Sequence, residues 1–424
     1  MTNPLILFIF FCILLASCSP SKKRVTIATP PTEAPRKPPA VPEIKVATQN
    51  PNNAYLLALL KKYPRWFSQI TEDSASSNIQ VYFTEISRNA ANAPVAKTYS
   101  YNGSESIYFY PATVVGLPIA ILALQKVQEL APRGITVNTT MITERSSSSQ
   151  TATYNDPFTP NGKPTVGGYI KRMLLYEDEE AFNRLYEFLG QQYINDALHK
   201  TGFAEVQILE RLGLFLNEKE NAATNPVKFL DDRGNLMYTQ PMLINSQTYP
   251  KRNDYVGTSY YSNGTLYKNP MMFSYKNKIA LSSLQALMQM LALPSLFGSN
   301  RQLVLSEQHR NLLLGYMSGN TVLNAQSNYP PHRPQPLTNA LKEKFPQHMI
   351  NVIELGGKGY GQVTQLAYVS DATTGIEYFV SATILANSKT VLNSGKYEYN
   401  EKAYPFLKNL IIAMHEQGIK ANGK

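Results

Sequence analysis

The sequence predicts an α/β domain in which strands from both ends of the chain build one antiparallel sheet, flanked by helices. Three observations predict it. Strand patterns lie at Ile79 to Ile86 and Lys97 to Tyr101 near the start, and at Val363 to Val369 and Glu377 to Leu385 near the end. The stretch between them, about 135–323, reads as mostly helical with long polar loops and forms a second lobe. No internal repeat is visible, and the length suits one large domain or two small ones.

Taken in order, the chain opens with an apolar run, Leu5 to Leu15, of signal-peptide length. A mature membrane span needs roughly 20 apolar residues, so this run is too short to be one. It ends in Leu15-Ala16-Ser17-Cys18, which resembles the lipobox of bacterial lipoproteins. The small side chain of Ser17 admits a signal peptidase, and the Cys18 thiol is the nucleophile that accepts the diacylglycerol. No Lys or Arg precedes the apolar run, a departure from that pattern. The resemblance implies removal of residues 1–17 and anchoring through Cys18 by acyl chains such as palmitate, two or three of which hold a protein stably where one does not. The expected address is the cell envelope, and Ser19 rather than Asp after the lipidated cysteine points to the outer membrane, facing the periplasm.

Residues 18–50 follow as a tether. Pro30, Pro31, Pro35, Pro38, Pro39 and Pro42 forbid a helix and favour an extended stalk. The folded domain is expected over 51–424. Its lack of any cysteine after Cys18 excludes disulfides, thiolate zinc sites and a cysteine nucleophile. The net charge of +10 reads mainly as general solubility, with Lys22, Lys23 and Arg24 placed to meet anionic lipid. No nucleic-acid module is present, so the expected partners are the membrane, through the anchor, and peptidoglycan or an envelope protein.

Within the domain, Ala54 to Ile70 carries a helical pattern. Asn102-Gly103 marks a turn, after which Ser106 to Tyr110 continues as an aromatic strand. Thr113 to Leu130 is a strongly apolar helix, Tyr169 to Gln192 reads as one helix, and Ser282 to Leu293 as another. A further helix starts at Ser306-Glu307 and runs to Met317, and Tyr404 to Glu416 closes the chain as an amphipathic helix.

At Tyr110-Pro111-Ala112-Thr113-Val114-Val115-Gly116-Leu117-Pro118 the chain resembles the class A β-lactamase and penicillin-binding superfamily of serine hydrolases, in its Bacteroidetes-type envelope branch. There the segment reads Tyr-Pro-Ala-Ser-x-x-Lys-Leu-Pro. The likeness continues at Glu180 to Gly190, Thr224 to Leu230, Pro270 to Asn277, Tyr360-Gly361 and Ala367 to Val369, in order along nearly the whole domain. It implies a β-lactamase/transpeptidase-like fold and no cofactor.

The family's chemistry uses a Ser with a Lys one helical turn later, a Ser-Asp-Asn loop and a Lys-Thr-Gly strand. A hydroxyl is inert near neutral pH until a base takes its proton. This sequence departs at all three elements. Thr113 stands at the nucleophile position and Gly116 at the lysine position. Glu177-Asp178-Glu179 stands at the Ser-Asp-Asn position, and Leu355-Gly356-Gly357 at the Lys-Thr-Gly position. Lys358 comes three residues late, an odd offset that turns it to the other face of a strand. General base catalysis alone is worth about 10²–10⁴-fold, so losing base, relay and anion anchor should bring turnover near background.

The residues also have simpler readings. Thr113 fits a helix N-cap after Pro111-Ala112. Glu177 to Glu180 fits a solvated acidic turn. His199, His309, His332, His348 and His415 show no metal-ligand spacing, so no metal is expected. Gly356 to Gly361 matches neither phosphate-loop pattern and fits close backbone packing in a strand. Two functions follow: a catalytically degenerate envelope protein that binds or scaffolds, or an active β-lactamase or D,D-peptidase relative using Thr113 with Glu177 or Glu179 as its base.

Overall fold

The computed structural model describes residues 51–72, 77–318 and 333–422; Cys18, the signal segment and the tether lie outside them. The described helices are α1 (Pro51–Lys61), α2 (Pro64–Glu72), α3 (Gly116–Leu130), α4 (Val166–Tyr176), α5 (Glu179–Leu189), α6 (Gln191–Lys200), α7 (Glu218–Ala222), α8 (Leu281–Ala292), α9 (Glu307–Met317), α10 (Pro336–Lys344) and α11 (Tyr404–Ala421). The strands are β1 (Gln80–Arg88), β2 (Pro94–Tyr101), β3 (Thr140–Thr143), β4 (Ala223–Thr224), β5 (Val227–Leu230), β6 (Leu236–Gln240), β7 (Leu243–Ile244), β8 (Tyr255–Val256), β9 (Ser259–Ser262), β10 (Thr265–Tyr267), β11 (Met271–Met272), β12 (Ile350–Gly359), β13 (Gln362–Asp371), β14 (Ile376–Leu385) and β15 (Val391–Leu392).

The central sheet has the order β12-β13-β14-β1-β2 and every neighbouring pair is antiparallel. The two ends of the chain therefore meet where β1 pairs with β14, as the strand patterns predicted. One face packs against α1, α10 and α11 through Leu56, Val352, Val380, Leu341 and Phe406. The other packs against the helical lobe through Leu355, Leu366 and Phe379 with α3, α4, α5 and α8. Ala112–Arg133 is apolar and long enough to cross a membrane by composition, yet most of it is buried inside the protein. It is the core helix of the domain.

Four expected elements come out differently. The helix over Ala54 to Ile70 is two helices, because Pro64 disfavours helical backbone at Tyr63 and itself opens α2. Ser106 to Tyr110 forms no strand: side chains of the β1 entry take its carbonyls, Asn78 Nδ2 donating to Tyr108 O and Gln80 Nε2 to Ile107 O. The central lobe is less helical than expected, since its polar loops pair as short ladders such as β3-β5-β6. Tyr169 to Gln192 is three helices, broken at Glu177-Asp178 and at Gly190 (φ 84°).

Candidate functional site

The segment at the nucleophile position begins with strain. Ala112 has φ 49°, a left-handed backbone that costs a residue with a Cβ on the order of 1 kcal/mol. A 3-10 turn spans Ala112–Val115, and α3 starts at Gly116. Thr113 is therefore inside the turn and is not an N-cap: Pro111 and Val115 hold the two cap positions, and neither offers a capping side chain. An N-cap needs non-helical backbone with its side chain free to reach back, which Thr113 lacks. Its Oγ1 is sealed from solvent and has no hydrogen-bond partner among the described residues. The lid over it is Gly357: a Cβ there would lie 2.5 Å from Thr113 Oγ1 and 2.9 Å from the backbone nitrogen of Val114. Only glycine allows β12 to approach the turn this closely.

Gly116 faces α4. A Cβ on it would meet Met173 Cγ at 3.0 Å and Sδ at 3.1 Å. Met173 is buried, so the space a lysine would use holds a thioether.

The acidic segment is a break between helices. Glu177 ends α4 in the left-handed conformation, φ 56°. Asp178 starts α5 as its N-cap and accepts from Ala181 N at 2.9 Å. Arg172 on α4 clamps the break, pairing with Asp178 at 2.7 Å, Asp156 at 3.2 Å and Glu180 at 3.3 Å. Burial opposes the charge on Arg172, but the three carboxylates outweigh it and hold its pKa above the ordinary range. The turn is not simply solvated, as its composition suggested: Glu177 and Asp178 are half-buried, and only Glu179 and Glu180 are exposed. Burial pushes the Glu177 carboxyl up, against the pull of Arg333 and Lys358. Burial, then the charge of Asp178, pushes Glu179 up. The Glu179 carboxylate lies against Gly213, where φ is 67° and a Cβ would collide with it. Neither Glu177 nor Glu179 hydrogen-bonds Thr113 Oγ1.

On β12, Leu355 is buried in the core of the helical lobe, and Gly356 lies under the Gln365 side chain. Lys358 points away from that core, with Nζ 5.5 Å from the centroid of Tyr399. The hairpin into β13 turns on Tyr360 (φ 53°) and Gly361 (φ 87°), two successive left-handed residues as a type I′ turn requires. The glycine run thus serves a strand and its turn.

Together these elements wall a cleft of about 420 Å³, lined by Tyr110, Ala112, Glu179, Gly213, Lys358, Tyr360, Asn393 and Tyr397. The sequence reading expected Glu177 or Glu179 near Thr113; Glu179 lines this cleft beside Ala112, and the aromatic and cationic walls were missed. Tyr110, Phe273 and Tyr360 meet edge to face, with centroids 4.9 to 5.7 Å apart. Lys276 Nζ sits 5.2 Å from the Tyr360 centroid and pairs with Glu210 at 3.1 Å. Burial works against that ammonium, but Glu210 outweighs it and holds its pKa up. The Pro270 to Asn277 segment carried the signal for this cluster, because it supplies both Phe273 and Lys276. Chemically, the cleft presents a carboxylate, an ammonium and phenol rings, and gives Thr113 no base.

A family model described as the β-lactamase enzyme family matches residues 67–340. No curated protein matches. Solved structures similar to the chain include PBP-A, at 14% identity and TM-score 0.48 over 86% of this chain and 97% of that one. A β-lactamase from Desulfarculus baarsii DSM 2075 has 12% identity and TM-score 0.47 over 86% and 98%. One from Burkholderia ambifaria has 13% identity and TM-score 0.43 over 86% and 98%.

Proposed function

The chain belongs to the β-lactamase enzyme family, and from that premise we propose that it is a catalytically degenerate member acting as a lipid-anchored binding or scaffolding module of the cell envelope. The observation that carries this reading is Thr113 Oγ1, buried beneath Gly357 with no hydrogen-bond partner among the described residues. A nucleophilic hydroxyl needs a base within hydrogen-bond reach and an open path to the substrate. Here Met173 fills the space beside Gly116, and Asp178 is engaged in capping α5 and pairing Arg172. Leu355 brings no charge to the strand.

The cleft remains a binding site of suitable form. Glu179 and Lys358 suit a ligand that carries both an amine and a carboxylate, and the tyrosines offer faces to sugars or apolar groups. Peptidoglycan fragments have that chemistry, and an envelope-anchored domain would be within reach of them. Cys18, the expected lipidation site, would supply the anchor.

The test is acylation. The purified chain is incubated with a fluorescent penicillin and its intact mass is measured, alongside turnover of a chromogenic cephalosporin. The expected result is no adduct and no turnover above background. A stable adduct at Thr113 would overturn the reading and favour the alternative, an active hydrolase using Thr113 with Glu177 or Glu179.

A further inference from the structure

Away from the cleft, three residues distant in sequence converge on the far side of the sheet. His348 follows α10, Asp371 ends β13 and His415 lies on α11. We propose that His348, Asp371 and His415 form a binding site for a divalent transition cation of the zinc, cobalt or nickel type. His348 Nδ1 is 2.8 Å from Asp371 Oδ2, and His415 Nε2 is 3.4 Å from the same oxygen. The three ligand atoms all lie within 4.8 Å of one another. A tetrahedral ion with bonds of about 2.0–2.1 Å sets its ligand atoms about 3.3 Å apart, so small side-chain adjustments admit it.

A second observation points to a ligand. His415 is fully buried, and among the described residues its Nε2 has no well-directed hydrogen bond, only the 3.4 Å approach to Asp371. A buried ring nitrogen left without a directed partner costs free energy, and a metal ion would satisfy it. The surroundings supply the outer contacts that metal ligands use. Asp371 accepts from Thr374 Oγ1 at 2.6 Å and Thr373 N at 2.9 Å. The other ring nitrogen of His415 lies 3.3 Å from the Tyr378 hydroxyl. Phe345 packs against both imidazoles, with centroids 4.7 and 5.3 Å away, as an apolar wall.

Access and the fourth position come from the same place. His348 borders a surface hollow of about 560 Å³ beside Phe345 and Lys342. Of the three ligands only His348 lines that hollow, so an ion would enter past His348 to reach the buried Asp371 and His415, with a water on the hollow's side as its fourth ligand. Two neutral imidazoles and a carboxylate suit late first-row metals better than magnesium or calcium, which favour all-oxygen sites.

The experiment uses the full chain in detergent, stripped with chelator, reloaded with Zn²⁺ and passed through gel filtration. One zinc per chain by elemental analysis is expected, with binding weakened at least about tenfold in His348→Ala and unchanged in His309→Ala. Co²⁺ should give the intense visible absorption of a four-coordinate site in the unaltered chain. Wild-type protein without retained zinc would overturn the site, as would equal zinc retention by His348→Ala. Should His348→Ala fail to fold, a Co²⁺ spectrum of six-coordinate character in the unaltered chain overturns it equally.

Discussion

At the scale of single residues, the departures from the family pattern are matched by their neighbours. Gly116 is packed by Met173 and Thr113 by Gly357. A repair of the nucleophile and lysine positions therefore meets resistance from packing. Thr113→Ser with Gly116→Lys should restore little hydrolysis of a chromogenic cephalosporin and should destabilise the domain by about 1–3 kcal/mol in urea unfolding, because the new side chain must displace Met173 from a filled core. Substantial turnover by that double variant would mean that the Ser-Asp-Asn and Lys-Thr-Gly positions lie elsewhere than at Glu177 to Glu179 and Leu355 to Gly357. The assignment of 113, 116 and 355 to the family's positions came from the resemblance. Their packing was not legible in the sequence, since Met173 and Gly357 sit on other elements and no local pattern links them.

At the scale of elements, the informative feature is the break between α4 and α5. Apolar periodicity runs through it from Tyr169 onward, so the sequence read as one helix. The local start signal, Asp178 followed by two glutamates, was present but weaker than the period. Tertiary contacts decide the outcome, with Arg172 holding three carboxylates and Glu177 absorbing the left-handed turn. Glu177 gives a pH prediction. Its folded-state pKa is raised by burial, so the folded chain binds its proton more tightly than the unfolded chain does. Its contribution to stability is fully present below the ordinary carboxyl pKa and is lost as pH rises through the folded-state value. Glu177→Gln should therefore melt at a higher temperature than the unaltered chain at pH 7, and the difference should shrink as pH falls from the folded-state value toward the ordinary carboxyl value and be gone below it. A Glu177→Gln variant that melts lower than the unaltered chain at pH 7 would show that Arg333 and Lys358 govern this carboxylate.

At the scale of the whole molecule, the fold was the most legible part. Strands at both chain ends with helices between them suffice to predict the antiparallel sheet, and β1 pairing β14 is that prediction realised. The cleft was half legible, because its acidic wall comes from one motif and its aromatic wall from separate loops and the β12–β13 turn. His348, Asp371 and His415 gave no signal, as they come from three elements with no shared spacing. The expected anchor makes its own prediction: the native chain should take up labelled palmitate and sediment with envelope membranes, and Cys18→Ala should do neither. Unchanged sedimentation of the variant would place membrane attachment elsewhere.

The thioether of Met173 against Gly116 also constrains the routes by which this domain could change. Installing a lysine first would drive it into an occupied space. Removing the methionine first would open a void in a core that is otherwise closely packed, typically at about 2–5 kcal/mol for a methionine cut back to alanine. Either order passes through a less stable intermediate, in a molecule whose margin of stability is typically only about 5–15 kcal/mol. The glycine and the methionine act as a ratchet: each holds the other in place, and a single substitution cannot turn it back.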